Sequence, residues 1–144
     1  MNTREQIVTH LEQTLQNMQN PQPVLVTREL FDVEKLAITQ YPAVMINFDT
    51  ETRENLTMGP NAKKLATMTV KVRGFLRGKN LDTQRNQFIA TAETALEQDR
   101  KRELGAIGVK DTTVTEIEVV ERQQPLAEVV LTVEVNYVYT QGQP

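Results

Sequence analysis

The chain has 144 residues with a formal charge of −3, 39% of them hydrophobic and 24% charged, which describes one ordinary globular domain with a single core and not a disordered chain. It contains no cysteine, serine or tryptophan and one histidine, His10; this excludes cysteine and serine nucleophiles, thiolate zinc centres and a two-histidine metal site within one copy. No GxGxxG, GxxxxGK[ST] or HExxH occurs, so phosphate-cradling loops and zinc-protease helices are excluded as well, and only carboxylate, lysine or tyrosine chemistry is left.

Thr3-Arg4-Glu5-Gln6 reads as a capping box at the start of a first helix. Ile7, Val8, Leu11, Leu15 and Met18 form one apolar stripe along it, and Pro21 and Pro23 end it. His10 falls beside the stripe, where a partly exposed histidine is the expectation and a ligand or pH switch is not. Val24-Leu25-Val26 is a short candidate strand, and Phe31, Val33, Leu36 and Ile38 lie in the connection after it.

Pro42 introduces Ala43 to Phe48, a mostly buried strand. Residues 49 to 64 are polar and include Gly59-Pro60, which predicts a long loop or a mobile hairpin tip. Leu65 to Leu76 alternates, with Ala66, Met68, Val70, Val72 and Leu76 on one side and Thr67, Thr69, Lys71 and Arg73 on the other. Gly74 falls on the apolar side, where either a bulge or a close backbone approach would account for the missing side chain.

Asp82 is a candidate N-cap for a second helix reaching about Gln98, with Phe88, Ile89, Ala92, Ala95 and Leu96 at helical spacing. Gly105 and Gly108 close the charged run Asp99 to Glu103 and return the chain to the sheet. Residues 112 to 121 and Ala127 to Tyr139 form two further strands, and the turn Gln123-Gln124-Pro125 makes them an antiparallel hairpin. The order predicts a single α+β domain over residues 1–144, with a largely antiparallel sheet of four to five strands and two helices on one face. Strands of twelve or thirteen residues span about 40 Å, more than the body of a chain this size, so the long hairpins must bend or project.

Charge is unevenly spread. Lys63, Lys64, Lys71, Arg73, Arg77 and Lys79 occur with no acidic residue among them, whereas Asp111, Glu116, Glu118, Glu121, Glu128 and Glu134 face Arg122 alone. Cross-strand pairing on the wet face is the simpler account, and contact between neighbouring copies the sharper one. Aromatics do not interleave with the cations, which argues against stacking on single-stranded bases. Glu116 and Glu118 lie two apart on one strand and read as solvated face residues rather than an acid and base pair. No apolar run approaches the roughly 18 residues of a membrane span. The start, Met1 to Glu5, lacks the apolar centre of a signal peptide, so the expectation is a protein made and used in a cytosol, without a membrane partner.

The amphipathic first helix, Tyr41-Pro42-Ala43-Val44-Met45-Ile46 entering a strand, the long strand ending Gly74-Phe75-Leu76-Arg77-Gly78, the second helix and the final hairpin together resemble the tail terminator proteins of long-tailed bacteriophages. The resemblance covers nearly the whole chain and rests on element order and size. It implies a non-enzymatic virion protein without a cofactor, assembled in the host cytoplasm, whose copies form a hexameric ring at the neck end of the tail. The implied partners are further copies of itself, the tail-tube protein and the head-side connector or stopper, with DNA passing through unbound. The loop from Thr50 to Lys64 and the tip from Arg77 to Asn80 are the expected docking elements, with Arg53, Met58, Lys63, Lys64, Arg77 and Lys79 as candidate contacts. Glu116, Glu118, Glu128 and Glu134 are expected to form an acidic strip facing the lumen. Another neck ring, a tail-tube subunit and a monomeric ligand-binding domain or enzyme remain the alternatives.

Overall fold

A computed structural model describes residues 2–143. Two helices, α1 (Thr3–Gln16) and α2 (Leu81–Gln98), lie on one face of a five-stranded sheet of β1 (Leu25–Thr27), β2 (Ala43–Asn55), β3 (Lys63–Arg77), β4 (Val109–Val120) and β5 (Leu126–Thr140). Strand order is β1-β2-β3-β5-β4; β1 and β2 are parallel and every other pair is antiparallel. The expected α+β class is therefore what the chain adopts.

The central pair is the spine. β3 and β5 are in register from Lys63 opposite Thr140 to Arg77 opposite Leu126, about 50 Å at ~3.4 Å per residue. Its even-numbered β3 side and odd-numbered β5 side meet the helices: Ala66, Met68, Val70, Val72, Val129, Leu131, Val133 and Val135 are buried against Ile7, Leu11, Leu15, Phe88, Ala92 and Leu96. Gly74 lies under the Phe88 ring, and a Cβ there would sit 2.5 Å from Phe88 Cζ. A close approach, not a bulge, explains that glycine. The bulges fall elsewhere, between Phe48 and Thr50 in β2, between Val109 and Asp111, and between Val114 and Glu116 in β4.

The opposite sheet face is open except at one end. There the connection from Arg28 to Pro42 crosses over it through two short 3-10 turns, Val33–Lys35 and Ile38–Gln40. Phe31, Leu36 and Tyr41 pack on Ala43, Met45 and Phe75, with Phe31 edge-on to Phe75 at 5.3 Å between ring centroids. This second, smaller cluster is the role of the connecting segment that sequence periodicity left unassigned.

Local caps differ from the expected ones by a residue or two. Asn2 caps α1, its Oδ1 accepting from Glu5 N at 2.8 Å, and α1 stops at Gln16, before the prolines. Asn80, at φ +54, precedes α2, and Asp82 lies within its first turn, where a carboxylate still favours the helix dipole.

Candidate assembly surfaces

The expected loop over residues 49 to 64 is largely strand. After the bulge at Asp49, β2 keeps pairing with β3 as far as Asn55 opposite Lys64, so the connection shrinks to residues 56–62. Polar sequence concealed this because the bulge changes which side chains face the helices. Phe48 and Glu51 both oppose core-side residues of β3, Val70 and Met68. Glu51 is then satisfied within the fold: Tyr137 Oη donates to its Oε1 at 2.7 Å, Arg53 Nε donates to its Oε2 at 2.6 Å, and Arg4 Nε lies 3.4 Å away. Burial, then the Glu51 carboxylate, pushes the Tyr137 phenol above its ordinary value. The hydrogen bond to Glu51 holds the Arg53 guanidinium in its charged form. Arg53 also lies over the Tyr139 ring, 4.9 Å from its centroid.

The hairpin tip is short and tied. Leu56 N and Thr57 N donate to Lys63 O, and Lys63 N donates to Thr57 Oγ1 at 2.6 Å. Met58 stands at the tip, 94% exposed, with Leu56 half-exposed beside it. Lys63 is on the open face, its Nζ donating to Thr140 Oγ1 at 2.7 Å, whereas Lys64 is on the helix side. Arg77 and Lys79 lie at the other end of β3, where Gly78 N donates to Pro125 O and Lys79 O accepts from Gln84 Nε2. An open cleft of about 360 Å³ separates Arg77 from the turn around Gln124. The six candidate contacts therefore occupy two opposite ends of the sheet, four at one and two at the other.

The acidic strip is narrower than expected. Glu116, Glu118 and Glu134 share the open face with Thr113 and Thr132, and Glu116 and Glu118 are exposed. Glu128 must be removed from it. This residue is 1% exposed and is clasped by Arg122, whose Nε and Nη2 approach Oε1 at 2.7 Å, and by Arg73 Nη1 at 3.7 Å. The reason is register: Glu128 stands opposite Phe75 and Val120, beneath the second cluster. Arg122 is thus not a stray cation, and the simpler account of the charge, pairing within one copy, holds for Arg73 and Glu128.

One other cluster joins α1 to the end of α2. His10 Nε2 lies 3.7 Å from Asp99 Oδ2 and 3.7 Å from Glu103 Oε2, and the three could hold a metal ion by residue type. Glu103 is mostly exposed. A buried cation already sits beside them: Arg102, 0% exposed, donates to the carbonyls of Leu96 and Asp99 and to Thr14 Oγ1. Burial pulls its guanidinium below its ordinary value, against Asp99 and Glu103. The cluster works as a polar clasp between α1 and the end of α2. Nothing in the run Asp99 to Glu103 marks Arg102 as interior; Arg102 and Glu103 both take left-handed backbone, φ +54, and only Arg102 is buried.

No protein-family model matches the chain, and no curated protein matches it. Among solved structures, the chain is similar to one from the virion of a native gene transfer agent particle, with 10% identity and a TM-score of 0.46 over 94% of this chain and 91% of that one. A likeness this loose assigns no role to any residue.

Proposed function

We propose that this chain is a non-enzymatic virion subunit of the tail terminator kind, which forms a ring on the end of a phage tail tube, stops its growth and offers its other face to the head-side connector. The observation that carries the reading is the β2–β3 tip. Met58 and Leu56 place apolar surface at the far end of a long paired ribbon, where it adds nothing to the subunit's own core and is positioned to insert into a partner. Arg53, Lys63 and Lys64 form the polar surround of that contact, which suits an apolar anchor with a charged rim. Glu116, Glu118 and Glu134 on the open face are the residues assigned to the DNA-facing wall, where negative charge keeps a passing polyanion from sticking.

The test uses uncapped tail tubes. Wild-type protein caps tube ends in electron micrographs, and Met58→Glu, a change at an exposed position that should leave stability within about 0.5 kcal/mol, abolishes capping while the subunit melts normally. Capping by Met58→Glu as efficient as by the parent overturns the role of the tip. Binding to filled heads instead of tubes makes the chain a stopper, and spontaneous growth of long tubes makes it a tube subunit.

A further inference from the structure

Among the described residues, one group of three metal-ligating side chains brings its donor atoms within 4.8 Å of one another: His10, Asp99 and Glu103. His10 comes from the middle of α1, Asp99 caps the end of α2, and Glu103 lies in the turn beyond it. The set is thus assembled by the antiparallel packing of the two helices and not by spacing along the chain.

The contacts are too long for hydrogen bonds and close to the spacing of ligands on a shared ion. His10 Nε2 is 3.7 Å from Asp99 Oδ2 and 3.7 Å from Glu103 Oε2, whereas an N–H···O bond is about 2.7–3.2 Å long. Two ligands held ~2.1 Å from one ion, at angles between tetrahedral and trigonal, stand roughly 3.4–3.6 Å apart. Thr14 accounts for the other ring nitrogen. Its hydroxyl donates to His10 O at 2.9 Å, so toward Nδ1, 3.5 Å away, it can only accept. In the neutral ring Nδ1 then carries the hydrogen, and the Nε2 lone pair faces two carboxylates, an arrangement that a cation between them relieves. A proton on Nε2 does less, because one hydrogen directs one bond at one carboxylate.

Neither carboxylate has another hydrogen-bond or ion-pair partner among the described residues. Arg102 is close, but its hydrogens go to the carbonyls of Leu96 and Asp99 and to Thr14 Oγ1, and its single positive charge leaves the two carboxylates with a net negative one. The three side chains open onto a cleft of about 300 Å³ with Gln13, Asn17 and Gln98 on its walls, which gives room for water or amide oxygens in the remaining coordination positions. Side-chain exposure rises from 18% at His10 to 82% at Glu103, so an ion enters from solvent without a change of fold.

We propose that His10, Asp99 and Glu103 bind a divalent transition-metal ion of the Zn²⁺ class, with Nε2 and two carboxylate oxygens as three of its ligands. One imidazole with two carboxylates suits such a borderline ion, whereas Mg²⁺ and Ca²⁺ take oxygen ligands. The bound ion ties α1 to the chain leaving α2, the same two segments that Arg102 joins from inside. The site does not depend on the ring reading.

A single histidine and no cysteine make the assay specific in protein carrying no affinity tag. Calorimetric titration with Zn²⁺ should show one ion per chain, and about a hundredfold excess over Kd should raise the melting temperature by at least about 5 °C. His10→Gln and Glu103→Gln should each weaken binding at least about tenfold; Glu103 is mostly exposed, so without metal its variant should melt like the parent. Glu118→Gln, an exposed carboxylate on the open sheet face, should bind like the parent. Absence of saturable Zn²⁺ binding, unchanged affinity in His10→Gln or Glu103→Gln, an equal loss in Glu118→Gln, or Mg²⁺ binding as tightly as Zn²⁺ overturns the site.

Discussion

Replacing Gly74 with alanine adds one methyl group at a point of the core already closed by Phe88. The ring of Phe88 stands 2.5 Å from where that Cβ must go, and Phe88 is itself fully buried against the sheet. Overpacking of this kind costs about 1–3 kcal/mol. Loss of glycine's freedom in the unfolded chain returns about 0.4–1 kcal/mol, because the native backbone here is ordinary strand. The net expectation is a loss of about 1–2 kcal/mol, or about 3–7 °C in melting temperature for a chain of this size. Phe88→Leu alone removes the ring and leaves a cavity, at a cost of about 1–3 kcal/mol. In the double variant the smaller side chain gives way to the new methyl group. The pair should then cost at least about 1 kcal/mol less than the sum of the singles. Thermal and urea unfolding of the four proteins measures this directly. Additivity within about 0.5 kcal/mol, or Gly74→Ala as stable as the parent, refutes the account of that glycine.

Glu128→Ala strips the partner from Arg122 and Arg73; because both cations are partly exposed, the expected loss is about 1–2 kcal/mol, whereas Glu116→Lys and Glu118→Lys should change the unfolding free energy measured in urea by no more than about 0.5 kcal/mol. Tyr137→Phe removes the hydroxyl that donates to Glu51 and should cost about 1–3 kcal/mol. Since the folded phenol titrates above its ordinary value of 10.0, its contribution is intact below pH 10.0 and is lost as pH rises through the folded value; the alkaline fall in stability should be shallower in Tyr137→Phe. At the acid end, the Arg100 bidentate pair holds the Asp111 carboxyl below its ordinary value of 3.8, so its stabilisation is present above that pH and lost as pH falls further. Arg100→Gln should flatten that limb, as followed by circular dichroism between pH 5 and 2.

Alternation carried most of the architecture. The apolar sides of Leu65 to Leu76 and Ala127 to Tyr139, and the helical stripes containing Leu11 and Phe88, predict which faces meet, and those faces do meet in one core. Period-two reasoning failed where a single extra residue intervened. Beyond Asp49 the polar run Thr50 to Asn55 has no apolar side to reveal that it is strand, since its inward residues Glu51 and Arg53 are satisfied by Tyr137 and Tyr139 from a strand far along the chain. Glu128 was misassigned for a related reason. Its strand alternation is correct, but the open face at that end is roofed by the Phe31 and Tyr41 segment, a contact between distant parts of the sequence that local periodicity does not carry. Arg102 lies in a run of charges with nothing in composition to separate it from its exposed neighbours Lys101 and Glu103.

The extra residue at Asp49 fixes the parity of the outer ribbon. Phe48 and Thr50 oppose consecutive residues of β3, so the bulge absorbs Asp49; were Asp49 drawn into the ladder instead, every side chain from Thr50 to Asn55 would change face, expelling Glu51 from beneath the Tyr137 phenol and driving Thr50 and Thr52 inward. Whether a single residue is paired or bulged thus governs which chemistry the far end of the molecule displays, with no change in the composition of the tip itself.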